Sequence, residues 1–264
     1  MIYIPRNFIP SLFTILNAFC GFMSIIQAFN GNFELAAWLI VYASLFDAVD
    51  GLAARLTNSA SEFGVELDSL SDVISFGAAP SILLYTVYFK SFNEFGILIS
   101  SLIMVFGAIR LARFNVQLVG FEKDKFSGVP IPMAAITICS YIVYYHNKIF
   151  SPIVSERMII VLAIALPILM VSKFKYDSIP KFSKSAFKQF PVRYIILVLG
   201  VIISILTKGE GVFSFCLFYL STGIVRSTYN YLRKRTRKLK HSIRTSEGDD
   251  LDEDDLDAGV EKKR

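Results

Sequence analysis

The 264 residues are 54% hydrophobic and 19% charged, with a mean hydropathy of +0.53, whereas soluble globular domains average about 45–50% apolar and about 25% charged residues. An ordinary soluble domain is excluded. The net charge of +5 sums two opposed regions: residues 1–244 carry 24 basic against 13 acidic groups, and residues 245–264 carry nine acids against Lys262, Lys263 and Arg264.

A helix needs about 20 mostly apolar residues to cross the hydrocarbon core of a bilayer. Runs of that kind, bounded by charge or by Pro and Gly, lie near 8–29, 34–56, 66–89, 93–114, 130–147, 153–172, 191–207 and 211–231. Membrane strands would alternate polar and apolar side chains, and IIVLAIALPILMV and YIILVLGVIISIL do not. The expectation is an all-α integral membrane protein, a bundle of about eight transmembrane helices forming one domain over 1–231.

Basic residues of short loops collect on the cytoplasmic side. With the N-terminus inside, the inner segments hold Arg6, Arg55, Arg110, Arg113, Lys123 and Lys125, then six basic residues from Lys173 to Arg193. The outer loops hold only Lys90, Lys148, Arg157 and Lys208. Both termini are therefore expected in the cytoplasm, in a multi-pass protein of the cell or inner membrane. The opening stretch lacks a small-residue cleavage site and reads as a retained span.

Residues 232–264 form a tail, basic and then acidic. Its cluster from Arg233 to Arg244 fits anionic headgroups or a topology signal, and its acidic end has too little apolar surface to fold. Cys20, Cys139 and Cys216 fall inside separate spans without metal-ligand spacing and read as buried thiols. His146 and His241 give no support to a histidine-based site, and Trp38 reads as an interfacial anchor.

The acids are the anomaly. Six of the 13 in residues 1–244, namely Asp47, Asp50, Glu62, Glu66, Asp68 and Asp72, fall within 26 positions joining the second and third runs. A carboxylate at membrane depth costs about 2.5–3.5 kcal/mol on insertion scales. Asp47 and Asp50 are three apart and Asp68 and Asp72 four apart, so each pair shares a helix face. Two such helices joined by a turn offer four carboxylates to one space, and their repulsion calls for cations between them. Oxygen-only ligation favours Mg²⁺ or Mn²⁺ over zinc. At 1.5 Å per residue Asp47 lies about 20 Å along from Phe33, toward the cytoplasmic edge, the depth also expected for Arg110 and Arg113. Gly51, Ala53, Ala54, Gly64, Gly77, Ala78 and Ala79 remove bulk beside the acids, leaving room for a ligand. Paired ions on carboxylates suit phosphoryl chemistry. A carrier would instead place isolated ionisable residues near the midplane on broken helices.

Written out, residues 47–72 give D-x2-D-G-x2-A-R-x8-G-x3-D-x3-D. This resembles, at every fixed position, the signature of the CDP-alcohol phosphatidyltransferase family. SDVISFGAAPS at 71–81, IRLARFN at 109–115, FSGVPIPMAA at 126–135, LMVSKFKY at 169–176 and the opening IPSLFTILNAFCGFMSI resemble its phosphatidylserine synthase branch. Ser11 stands where that branch has Asn, while Thr14 and Asn17 remain. The resemblance covers residues 5 to about 230.

What the resemblance implies is transfer of a phosphatidyl group from CDP-diacylglycerol to the hydroxyl of L-serine, with release of CMP. Asp47, Asp50 and Asp68 would be metal ligands for Mg²⁺ or Mn²⁺, two ions per site, with Asp72 contributing to the second ion and acting as general base. Gly51, Ala54, Arg55, Gly64 and Asn17 would line the nucleotide site. Arg110 and Arg113 are the candidates for the serine carboxylate, because Arg grips carboxylates bidentately. Expected partners are CDP-diacylglycerol, L-serine and membrane lipids, with no nucleic acid; the resemblance also implies a homodimer. The same chemistry on inositol phosphate, glycerol phosphate or choline is the alternative, and a small helical carrier the more distant one.

Overall fold

The computed structural model describes residues 8–57, 61–119, 128–174, 176, 199–200, 202–229 and 232–233. Among the described residues the regular elements are all helical. In chain order they are α1 (Phe8–Phe29), α2 (Phe33–Leu56), α3 (Glu62–Asp72), a π-helical segment (Val73–Ala78), α4 (Ala79–Val87), a 3₁₀ turn (Phe89–Phe92), α5 (Asn93–Val119), α6 (Ile131–Tyr144) and α7 (Pro152–Val171). Residues 202–206 and 211–229 are also helical. Two compact units divide the chain, Met1–Leu220 and Ser221–Arg264, the second described only over 221–229 and 232–233.

Five helical stretches are long and apolar enough to cross a membrane: Pro10–Phe29, Phe33–Ala54, Glu62–Val87, Phe89–Val116 and Pro152–Val171. They coincide with the first four and the sixth of the expected runs. The fifth run forms α6, only 14 residues long, because the chain turns after Tyr144: Tyr145 accepts backbone bonds from Lys148, Ile149 and Phe150. The seventh run falls mostly outside the described residues, as do the tail beyond 233 and the expectations attached to it.

Burial along α1 inverts the usual amphipathic pattern. Pro10, Thr14, Asn17, Gly21, Ser24 and Ala28 recur every three or four positions and are buried, whereas Leu12, Ile15, Phe19, Phe22, Ile26 and Phe29 face outward. In hydrocarbon the large apolar side chains gain nothing by burial, and small residues let helix backbones approach. Ala36, Ala37, Ala43, Ala134, Ala135 and Ala163 continue that small interior on α2, α6 and α7.

The turn into α2 uses Gly31 at φ +79°, and Ser24 Oγ donates to the Ala36 carbonyl at 2.8 Å, fastening α1 to α2. Lys148 forms an ion pair with Glu34, tying the α6–α7 turn to the start of α2. On the way into α6, Gly128 N–H donates to Phe174 O at 2.8 Å and Val129 N–H to Leu169 O at 3.1 Å.

Against α3 and the π segment, α1 accepts. Ser71 Oγ donates to Thr14 O at 3.1 Å and Ser75 Oγ to Asn17 O at 2.8 Å. Gly21 lies so close that a Cβ there would stand 2.7 Å from Ser75 Cα. Gly21→Ala is therefore expected to part α1 from the π segment and cost about 1–3 kcal/mol. Thermal unfolding in detergent checks this against Phe22→Leu on the exposed face, which should shift stability by no more than about 0.5 kcal/mol.

Candidate active site

Asp47 and Asp50 stand near the end of α2, Asp68 and Asp72 on α3. One carboxylate oxygen from each of Asp47, Asp50 and Asp68 lies within 4.8 Å of the others. Asp72, expected as a further ligand, lies outside that trio. It is 7% exposed, one helical turn beyond Asp68, and within electrostatic reach of Asp47, Asp68 and Asp50.

Three oxygens of like charge gathered this closely repel unless a cation stands among them. Asp68 Oδ1 is in addition buried with no hydrogen-bond partner. The donor set is carboxylate oxygen alone, which fits a hard divalent ion.

Two neutral side chains of α1 brace the acids. Thr14 Oγ1 donates to Asp50 Oδ2 at 2.8 Å, and Asn17 Nδ2 donates to Asp72 Oδ1 at 3.4 Å. The role of Thr14 toward Asp50 was not read from the sequence. Its signal was there in the three-residue spacing of Thr14 and Asn17, which puts both on one face of a helix.

Beside the trio lies a cavity of about 130 Å³, lined by Thr14, Asp50, Gly51, Ala54, Gly64 and Asp68 together with Pro10, Ser11, Ser61 and Val65. Gly51, Ala54 and Gly64 thus come together as expected. Asn17 is directed at Asp72 and is absent from this lining. The Arg55 side chain lies outside the described residues. Ser61 caps α3, its Oγ accepting from Gly64 N–H at 3.1 Å, so the first turn of α3 borders the cavity. Unpaired N–H groups and the helix dipole favour an anionic group there.

Of the two expected arginines, the structure draws only Arg110 to the acids. Arg110 is within electrostatic reach of Asp72 and of Tyr219, and its Nε is buried without a partner. Arg113, three positions on, is exposed. Asn115 Nδ2 donates to Ser69 Oγ at 2.9 Å, fixing the helix that carries Arg110 to the helix that carries Asp68 and Asp72.

A profile described as CDP-alcohol phosphatidyltransferase matches residues 7–172. The chain belongs to the CDP-alcohol phosphatidyltransferase family. It is 37% identical over 223 residues to a protein of Helicobacter pylori named CDP-diacylglycerol--serine O-phosphatidyltransferase, covering 84% of this chain and 92% of the relative. A Bacillus subtilis protein of the same name is 35% identical over 180 residues, 68% of this chain and 94% of the relative. An archaetidylserine synthase of Methanothermobacter thermautotrophicus is 41% identical over 173 residues, 65% of this chain and 70% of the relative. With five helices of spanning length and this family, the chain is a membrane protein.

Outer partners of metal ligands set the ligands' orientation, and their loss typically lowers metal affinity about 10–100-fold. Thr14→Val removes the donor to Asp50 at nearly constant volume, so Mn²⁺ affinity, read by electron paramagnetic resonance titration, is expected to fall within that range. Unchanged affinity would show that Thr14 does not orient Asp50 for metal.

Proposed function

We propose that the protein is a phosphatidylserine synthase, transferring the phosphatidyl group of CDP-diacylglycerol to the hydroxyl of L-serine and releasing CMP. The observation that carries this reading is the Asp47, Asp50 and Asp68 cluster with a small-residue cavity beside it and with Asp72, itself near Arg110, within electrostatic reach. The names of the relatives at 35–37% identity agree with it.

Asp47, Asp50 and Asp68 would hold Mg²⁺ or Mn²⁺, two ions per site, with Asp72 contributing to the second. When bound, the ions supply neutralisation of the diphosphate and of the leaving group. Gly51, Ala54 and Gly64 make room for the nucleotide, and Arg55 joins them there. The first turn of α3 faces the anionic part of the substrate. Arg110, with Arg113 further out, supplies positive charge for the serine carboxylate.

Asp72 takes the proton of the serine hydroxyl. The serine oxygen then bonds in line to the phosphorus carrying the diacylglycerol, and the bond from that phosphorus to the CMP phosphate oxygen breaks. CMP leaves with the electron pair. Burial of Asp72 keeps bulk water from competing for the phosphorus.

In the membrane we place eight spans with both termini, and hence the acids, on the cytoplasmic side, as the distribution of basic loop residues requires. The acyl chains lie between helices facing lipid, and two chains associate as the family commonly does.

CMP release from CDP-diacylglycerol with Mn²⁺ and a panel of alcohols tests the reading. Turnover is expected with L-serine and lost on chelation of the metal; release with inositol phosphate but not with serine overturns the acceptor, and no release with any alcohol overturns the enzyme. Asp72→Asn is expected to retain nucleotide binding and abolish turnover. Arg110→Ala removes a charge-assisted hydrogen bond of about 1.5–3 kcal/mol, so the KM for serine should rise about 10–100-fold while that for CDP-diacylglycerol stays within about threefold.

A further inference from the structure

Among the described residues, three buried side-chain polar atoms have no hydrogen-bond partner: Asn17 Oδ1, Asp68 Oδ1 and Arg110 Nε. They come from α1, α3 and α5, and all three residues surround Asp72. Asn17 donates to it, Asp68 precedes it by one helical turn, and Arg110 lies within its electrostatic reach. Orphaned buried polar atoms are few in native folds, and each calls for a reason. For Asn17 and Arg110, the two that lie outside the carboxylate trio, a ligand that brings its own donors and acceptors supplies one.

The chemistry of the three atoms divides them. Asp68 Oδ1 is anionic and belongs with the carboxylate trio. Asn17 and Arg110 leave one neutral acceptor and one cationic donor, placed around Asp72. The Asn17 amide turns its NH₂ group to Asp72, donating to Oδ1 at 3.4 Å, and its oxygen faces away. Asn17 is fully buried, at 0% exposure, and Ser75 grips its backbone carbonyl, so the amide has little freedom to seek another partner.

A β-hydroxy-α-amino acid matches this set group for group. Its ammonium donates, its carboxylate accepts, and its hydroxyl yields a proton. We propose that Asn17 Oδ1 accepts a hydrogen bond from the ammonium of the acceptor amino acid while the Arg110 guanidinium takes its carboxylate, making Asn17 a specificity-determining residue for an amino-acid acceptor. The proposal rests on the transfer reading above and moves Asn17 from the nucleotide to the acceptor.

A neutral amide suits the position better than an acid. A carboxylate at 17 would attract the ammonium, but it would add a fifth negative charge beside Asp72 and could not donate to it. Asn17 accepts through one end and donates through the other, so seating of the ammonium and orientation of the base are carried by a single side chain.

The test uses competitive inhibitors of serine that lack the hydroxyl, so that the base does not enter. L-Alanine carries both charges; propionate carries the carboxylate alone. In the full-length protein in detergent, L-alanine is expected to compete with serine at a Ki well below that of propionate. Asn17→Ala should raise the L-alanine Ki about tenfold or more, with the propionate Ki and the KM for CDP-diacylglycerol within about twofold. Asn17→Asp, nearly isosteric, should keep the L-alanine Ki at or below the wild-type value while kcat falls, and it carries the test alone if the alanine variant does not fold.

Equal shifts for the two inhibitors, or no competition by L-alanine in the wild type, overturn the proposal. So does a raised KM for CDP-diacylglycerol, which returns Asn17 to the nucleotide. Failure of the wild type to release CMP with serine overturns the transfer reading itself, so the two failures are distinguishable.

Discussion

The site depends on how four carboxylates are kept together at the edge of a hydrocarbon medium. Their mutual repulsion pushes α2 and α3 apart, and the counterforce comes from α1, the first helix of the chain. Thr14 and Asn17, one turn apart on its buried face, reach Asp50 on α2 and Asp72 on α3 respectively. Both donors are neutral. A Lys or Arg at either position would hold an acid just as firmly, but it would cancel the charge that draws a cation and fill the space a cation needs. A hydroxyl and an amide orient the oxygens and leave the negative field in place.

The same face of α1 also accepts. Ser71 and Ser75 donate to the carbonyls of Thr14 and Asn17, using lone pairs that the α-helical ladder leaves free. The residues that brace Asp50 and Asp72 are thereby braced themselves. Asp72 is the last residue of α3, and the chain continues as the π-helical Val73–Ala78. A π turn inserts extra residue into the helical repeat and rotates everything after it, a device that recurs at functional sites. Before the rotation the helix presents acids and serines to α1. Toward the end of the π segment Gly77 faces α5, where a Cβ would stand 3.4 Å from Met104 Cα, so one continuous helical stretch serves two neighbours with different requirements.

What was legible in the sequence followed from short-range arithmetic. The pairing of Asp47 with Asp50 and of Asp68 with Asp72 is fixed by helical spacing, and the cavity of Gly51, Ala54 and Gly64 follows because those residues lie within one or two turns of the acids. The spans were legible wherever apolar length alone decides them. The π segment was hidden, since VISFGA reads as an ordinary stretch of apolar helix and its bond from Ser75 to Asn17 joins residues 58 positions apart in the chain. Arg110 and Arg113 looked equivalent because both belong to one motif and one membrane depth. Spacing does not say how close each comes to the acids: the packing of α5 leaves Arg110 within electrostatic reach of Asp72 and Arg113 exposed. For Asn17, position in the chain says which face of α1 it occupies, not which of the two helices packed there it meets; the structure brings its amide to Asp72 on α3.

The placement of Arg110, whose Nε is buried, bears on the division of labour proposed for four chemically identical side chains. Against four acids, Arg110 leaves a net deficit of positive charge, so it cannot replace the cations. It stands near Asp72 and not within the Asp47, Asp50 and Asp68 trio. A guanidinium inside the trio would compete with a divalent ion for the same oxygens; beside Asp72 it lowers the repulsion felt by the carboxylate proposed to exchange a proton and leaves the other three open to a cation. Asp72 thus sits on a boundary, within reach of the Asp47, Asp50 and Asp68 carboxylates and of the neutral amide of Asn17 and the charge of Arg110. A carboxylate in that position can answer to both sides, which is what a base needs if it is to take a proton from an incoming hydroxyl only once that hydroxyl is seated.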